Sequence, residues 1–279
     1  MTGIALCLAT LLVASEAADA GPAPAAEQQR AQRLEQMSVL ARSTHVRYQK
    51  GSRAPVLRDS PVFRYDDQPR RFLDATVWVW TDDGRPVAFE KVEAMPGQWQ
   101  FCFTSLATDL LDVSWTGNHR YRSSKAGIDM RLLPDAHDVP ARSSRRSLEL
   151  RNLAREFSAR IVVDRAGNSE EMRLLSTPIF EYTDPQSNLL SGAVFGFATN
   201  GTNPDLLLVL EARTEPEQGA SRWHYAAARM TIGGVTLKHR ETTVAEFEYV
   251  EPRPAGFPTW TFFSIPRPQG EDTAHGTTN

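Results

Sequence analysis

The feature that most constrains this chain of 279 residues is a stretch that occurs twice. Residues 61–84 read PVFRYDDQPRRFLDATVWVWTDDG, and residues 178–201 read PIFEYTDPQSNLLSGAVFGFATNG. Without a gap the two stretches are identical at seven positions, where average composition gives about one or two by chance. The identical pairs are Pro61/Pro178, Phe63/Phe180, Tyr65/Tyr182, Asp67/Asp184, Leu73/Leu190, Val77/Val194 and Gly84/Gly201. One fold must therefore accommodate the same pattern twice.

The flanking residues extend this similarity. Glu93 and Trp99 follow the first copy, and Glu211 and Trp223 follow the second. Each copy is preceded by a segment with apolar residues at helical spacing that contains Leu-Ala-Arg, at residues 40–42 and 153–155. The sequence therefore predicts a β-rich α+β fold, built from an internally duplicated unit of one helix packed on an antiparallel sheet.

Residues 75–81 have the strongest strand pattern in the chain. Val77 and Val79 alternate with Trp78 and Trp80, so the two pairs lie on opposite faces of a strand. Asp83-Gly84 is a sequence typical of a hairpin turn, and residues 87–94 return as the second strand. We expect four or five antiparallel strands behind the helix of the first half.

The predicted organisation has six segments. They are a signal peptide (1–20), a tether (21–26), a first helix-plus-sheet repeat (27–116), a connection (117–143), a second repeat (144–265) and a disordered tail (266–279). The two repeats are expected to be related by a pseudo-twofold axis. Whether they form two domains or one joint sheet or barrel is open at this level.

An apolar run at residues 4–14 precedes the small-residue site Ala18-Asp19-Ala20, which is typical of a signal peptide. The first three residues lack Lys and Arg, so an N-terminal apolar helix retained in the mature chain is the alternative. Cleavage would remove Glu16, Asp19 and no basic residue, changing the net charge from -3 to -1. We expect an exported protein, periplasmic or extracellular, with no transmembrane anchor in the mature chain and no nucleic-acid partner.

No motif for a phosphate loop, dinucleotide, nucleophile elbow, zinc helix or calcium loop occurs, so no cofactor and no catalytic residue is predicted. Asp67 and Asp184 are candidates for a carboxylate pair, although turn formation after each strand is the favoured interpretation. A cluster at Asp135, His137 and Asp138 fits a solvated loop better than a metal site, and no metal is predicted. Cys102 is interpreted as a buried, inert thiol.

Aromatic residues form the one group in the sequence that suggests a ligand-binding site. If any of them line a ligand site, the residues expected there are Trp78, Trp80, Trp99, Phe195, Phe197 and Trp223. Packing in the core is the more common role of such side chains. The alternative is an aromatic-lined cleft for a sugar chain, a peptide or an apolar ligand.

The segments at residues 172–182, 192–197, 206–213 and 223–229 resemble an uncharacterised family of secreted bacterial proteins, and the likeness covers much of residues 30–263. A helix followed by Leu-x-x-x-Pro-x-Phe-x-Tyr and a hairpin is also similar to the half-barrel of periplasmic lipoprotein carriers, which have one such unit. Neither resemblance implies an activity. The sequence favours a non-catalytic module that binds a small molecule, glycan, peptide or envelope component, and the alternative is an extracytoplasmic hydrolase with an unrecognised carboxylate site.

Overall fold

The computed structural model describes residues 23–184, 188–199, 201–215, 219–253 and 256–267. The predicted signal peptide lies outside the described residues, as does the predicted tail beyond residue 267. Within the described part the chain is β-rich and antiparallel, with two α-helices. Neither of these helices is long and apolar enough to cross a membrane.

The first half of the chain contains one helix and eight strands. These are α1 (Ala23–Arg42), β1 (His45–Tyr48), β2 (Val56–Leu57), β3 (Phe63–Asp67), β4 (Phe72–Asp82), β5 (Arg85–Met95), β6 (Gln98–Ser105), β7 (Leu111–Ser114) and β8 (Arg120–Arg122). A short connecting strand follows, β9 (Arg131–Leu132).

The second half repeats that order of helix and strands and adds a final strand. Its elements are α2 (Ser143–Ala154), β10 (Phe157–Val162), β11 (Ser169–Leu174), β12 (Phe180–Asp184), β13 (Leu189–Ala198), β14 (Leu206–Thr214), β15 (Ser221–Arg229), β16 (Gly234–His239), β17 (Thr242–Phe247) and β18 (Trp260–Pro266).

Three sheets result from these strands. The first sheet has the order β18-β6-β5-β4-β2, and β3 also pairs with β4. The second has the order β17-β16-β10-β11-β13-β14-β15-β9, and β12 also pairs with β13. A small third sheet has the order β1-β7-β8.

The strand register is the same in the two halves. Tyr65 lies opposite Ala75, which in turn lies opposite Glu93; Tyr182, Gly192 and Glu211 repeat this arrangement. The pairings β1-β7-β8 of the first half also recur as β10-β16-β17. Both halves therefore place the residues of the twice-occurring stretch at matching positions of matching strands.

The hairpin tip of each half approaches the other half at a corresponding residue. A methyl group in place of the Gly84 hydrogen would lie 3.4 Å from the backbone oxygen of Thr183. A methyl group on Gly201 would lie 3.4 Å from the backbone oxygen of Asp66. The two contacts are therefore reciprocal between the halves.

The first and second sheets pack face to face, and each helix covers one outer face. Val77 and Val79 join a core with Val194 and Val209 of the second sheet. Helix α1 packs on β4 and β5, and α2 packs on β13 and β14. Because β4 and β13 are covered on both faces, nearly all of their residues are buried, instead of every second one.

Several predicted boundaries differ from the structure. Helix α1 begins at Ala23, so part of the predicted tether is helical. Phe157 has the spacing of the apolar face predicted for the second helix, with Leu150, Leu153 and Ala154, but it begins β10. Strand β18, predicted within the second repeat, pairs with β6 of the first sheet. Strand β9, from the predicted connection, pairs with β15 of the second. Apolar periodicity identifies a strand, but it does not specify which sheet edge that strand joins.

Candidate functional site

The six aromatic residues predicted to line a ligand site are enclosed in the protein core. Each is at most 5% exposed, with Trp78 and Phe195 at 0%. Trp78, Trp80 and Trp99 pack in the core beneath α1, and Phe195, Phe197 and Trp223 pack in the core beneath α2. A ligand can contact a ring only where that ring is accessible, so the structure does not support the predicted binding role of these side chains. Their packing between helix and sheet accounts for their size and apolar character.

The other candidates from the sequence do not assemble into one site. Asp67 and Asp184 line different cavities. The Asp67 carboxylate makes no cap hydrogen bond to the turn that follows it, and instead forms an ion pair with Arg70, whose Nε lies 2.6 Å from Oδ2. The residues 135, 137 and 138 of the loop cluster are exposed. Across the described ranges, no group of three or more His, Cys, Asp or Glu side chains is arranged to hold a metal.

A cavity of about 350 Å³ lies between the two sheets, at the end where β18 joins β6. Its inner wall is made of buried side chains from both halves, and its mouth is made of half-buried ones. The inner wall comprises Phe72, Lys91, Glu93, Cys102, Asn203, Asp205, Met230 and Trp260, and the mouth comprises Arg70, Gln100, Thr231, Ile232 and Phe262.

Glu93 is the central carboxylate of this wall. It is 1% exposed, and both of its oxygens accept hydrogen bonds: the Tyr65 hydroxyl donates at 2.5 Å and the Gln100 amide donates at 2.9 Å. The Lys91 ammonium lies farther away, with Nζ 3.9 Å from Oε1 of Glu93. Burial and the negative charge of Glu93 hold the pKa of Tyr65 well above its ordinary value, so the phenol remains a proton donor to the carboxylate.

A second polar group joins the two halves beside this carboxylate. Lys91 donates to the side-chain oxygen of Asn203 at 2.7 Å. Arg70 donates to both oxygens of Asp205, at 2.9 and 2.8 Å, in the bidentate geometry that guanidinium groups favour. Arg70 also forms an ion pair with Asp67, so three first-half side chains are held to two second-half side chains beside Glu93.

In the second half, the carboxylate that corresponds to Glu93 is Glu211, and it has more hydrogen-bond partners. Tyr182 donates to Glu211 at 2.6 Å, as Tyr65 does to Glu93. Two guanidinium groups also bind Glu211: Arg85 donates to its oxygens at 2.9 and 3.1 Å, and Arg213 donates from Nε. His224 lies opposite Glu211 on β15, where Gln100 lies opposite Glu93 on β6.

A buried arginine holds the segment at the mouth. Arg229 is 7% exposed and donates to the backbone oxygens of Thr231, Gly233 and Glu248, at 2.9, 2.6 and 2.8 Å. Its guanidinium also lies 5.0 Å from the centre of the Trp260 ring. Burial lowers the pKa of Arg229 to about 10, which leaves it charged at neutral pH. These contacts fix residues 231–233, two of which line the cavity.

The carboxylates of the cavity wall are hydrogen-bonded, and its thiol is protonated. Each oxygen of Glu93 and of Asp205 accepts one hydrogen bond from a protein donor, and a carboxylate oxygen can accept a second one. Burial raises the pKa of the Cys102 thiol to about 12, so it carries almost no thiolate at neutral pH.

Comparison with protein-family models, with curated proteins and with solved structures found no match to this chain. The resemblances drawn from the sequence therefore stay predictions. The sequence predictions did not include Lys91 and Glu93, the buried charged residues of the cavity. Charges at alternate positions of a strand are more typical of a solvent-facing side.

Proposed function

We propose that this chain is a non-catalytic ligand-binding module whose site is the cavity between its two sheets. The observation that carries the proposal is the combination of apolar walls with a buried Lys91 and Glu93 and an accessible mouth. Ligand sites typically combine a mostly apolar concave surface with a few convergent polar groups. A volume of about 350 Å³ suits a small organic molecule or the terminal group of a larger one.

The extracytoplasmic hydrolase is the weaker candidate. It needs two carboxylates or a histidine that converge with free oxygen or nitrogen atoms on a substrate. Asp205 is held bidentately by Arg70, and no histidine is among the described residues that line the cavity, so Glu93 has no second catalytic group beside it. Binding requires only a carboxylate that can accept a further hydrogen bond from the ligand, as Glu93 can.

We also infer that the two halves arose by duplication and are related by a pseudo-twofold axis. The seven identities in the repeated stretch, the equal strand register and the reciprocal contacts of Gly84 and Gly201 support this inference. Divergence after duplication accounts for a Glu211 that is bound by Arg85 of the first half and Arg213 of the second, and a Glu93 that lines a cavity instead.

Export is part of the same proposal and rests on the apolar run and small-residue site of residues 1–20. A binding module outside the cytoplasm would take a small molecule, glycan, peptide or envelope component. N-terminal sequencing of the protein from its native fraction tests this step. A mature chain beginning near Gly21 is expected, and Met1 retained in a cytoplasmic fraction would overturn it.

The binding function is tested by calorimetric titration of the purified protein with small saccharides, short peptides, medium-chain fatty acids and aliphatic cations. Cys102→Phe adds bulk to the cavity wall, and Thr243→Phe adds the same ring to an exposed groove elsewhere on the second sheet. We expect at least one ligand class to bind the wild type and the Thr243 variant but not the Cys102 variant, with circular dichroism confirming that both variants fold. Equal binding by both variants, or no binding of any class, would refute the proposed site.

A further inference from the structure

We propose that the cavity recognises a guanidinium group on its ligand, and that Glu93 is the carboxylate that binds it. This inference rests on the proposed function, because it assumes that the cavity is a ligand site. It concerns the charge and shape of the ligand, which the proposed function leaves open.

The protein itself shows what a buried Tyr–Glu pair of this fold binds. Glu93 and Glu211 occupy matching positions of β5 and β14, and each accepts a short hydrogen bond from a matching tyrosine. Glu211 is completed by the guanidinium groups of Arg85 and Arg213. No guanidinium of a described residue lies within ion-pair distance of Glu93.

A sequence difference between the halves accounts for one of these two guanidinium groups. Arg213 lies two residues after Glu211 on the same face of β14. The residue two positions after Glu93 is Met95, which has no charge. The space beside Glu93 is part of the cavity, so a ligand has access to the carboxylate.

The carboxylate of Glu93 is not paired closely with any cation of the described residues. Lys91 is directed at Asn203, 2.7 Å away, and is 3.9 Å from Glu93. The two oxygens of Glu93 accept one hydrogen bond each, and each can accept a second one from a ligand. A bound cation would therefore gain a charged hydrogen bond, whereas a bound carboxylate would be repelled by Glu93.

The walls fit a planar cation better than a compact one. Phe72, Trp260 and Phe262 contribute aromatic surface to the cavity. Guanidinium groups stack on such surfaces and bind carboxylates bidentately, whereas a primary ammonium is a more strongly hydrated point charge. A volume of about 350 Å³ holds roughly a dozen water-sized groups, enough for a short alkylguanidine or the end of an arginine side chain.

The first test compares four probes of matched chain length by calorimetry: butylguanidinium, butylammonium, pentanoate and pentanol. We expect butylguanidinium to bind at least about tenfold more tightly than pentanoate and pentanol. Tight binding of pentanoate or pentanol that Cys102→Phe abolishes would overturn the guanidinium inference while leaving the cavity as a binding site. Failure of all probes and of the wider ligand panel would overturn both.

The second test changes the carboxylate and its surroundings. Glu93→Gln removes the charge, and Met95→Arg places an arginine relative to Glu93 as Arg213 is placed relative to Glu211. Both variants should bind butylguanidinium at least about tenfold more weakly, and Glu246→Gln, an exposed change on β17, should bind it as the wild type does. If Glu93→Gln does not fold, Met95→Arg decides the question, and unchanged affinity in Met95→Arg refutes the inference. An acetylated Gly-Arg-Gly amide in the same assay distinguishes a peptide arginine from a free small guanidine.

Discussion

Replacing Glu90 by Gln should remove a large part of the dependence of stability on pH. Glu90 is fully buried on β5, on the face opposite Glu93, beneath α1. The Trp115 indole donates to its Oε1, as does the Thr44 hydroxyl at 3.3 Å, while its Oε2 accepts no hydrogen bond from any described residue. Burial raises the pKa of Glu90 from 4.5 to about 8, so this carboxyl group is protonated in the folded protein at neutral pH.

The size of the pH effect of Glu90 on stability follows from the linkage between proton binding and folding. In the unfolded chain this carboxyl group loses its proton near pH 4.5, whereas the folded protein keeps it to about pH 8. Between these values the folded state binds one more proton, so the free energy of unfolding falls as pH rises, by about 1.4 kcal/mol per pH unit. Below pH 4.5 the contribution of Glu90 to the free energy of unfolding is fully present. At pH 7 about 3 kcal/mol of this contribution has been lost.

Urea denaturation at pH 5, 6 and 7 measures this effect in the wild type, Glu90→Gln and the exposed control Glu171→Gln. Gln keeps an acceptor for Trp115 but does not titrate, so the stability of the variant relative to the wild type should rise by about 1.4 kcal/mol per pH unit. The control should keep the wild-type slope. Parallel pH profiles for the wild type and Glu90→Gln would refute the reasoning.

Three further predictions follow from the described contacts. Arg85→Ala leaves the buried Glu211 with one guanidinium fewer and should lower the free energy of unfolding by about 3 kcal/mol in urea titration; a loss below about 1 kcal/mol would contradict the assigned burial. Gly192→Ala would place a methyl carbon 2.4 Å from Tyr182 Cζ, so we expect about 1–3 kcal/mol of destabilisation in the same assay, and no change would mean that the ring has room to move. All six tryptophans are at most 6% exposed, so acrylamide should quench the folded protein far less than the urea-unfolded chain; similar quenching of both would contradict the enclosed aromatic core.

The strands were the most predictable part of the fold. Residues 75–81 alternate apolar side chains before an Asp-Gly turn, and β4 and the hairpin lie there. The positions of Glu93 and Glu211 relative to the repeated stretch also followed from the sequence, because the same residues recur at nearly the same spacing. Local patterns suffice for such features, since register and turns depend on neighbouring residues.

The site was not predictable in the same way. Alternation assigned Trp78 and Trp80 to one strand face, but it did not show that α1 covers that face. The cavity depends on β18, which pairs with β6 from more than 150 residues away in sequence. Lys91 and Glu93 alternate as residues on a solvent-facing side would, and only the second sheet buries them. Which faces are covered is decided by tertiary packing.

We propose above that the cavity between the sheets holds a ligand through Glu93. A crystal structure of the protein soaked with butylguanidinium tests this contact. We predict a planar density in the cavity, with guanidinium nitrogens within about 3 Å of the Glu93 carboxylate. An unoccupied cavity at concentrations that saturate binding in solution, or density at another surface, would contradict it.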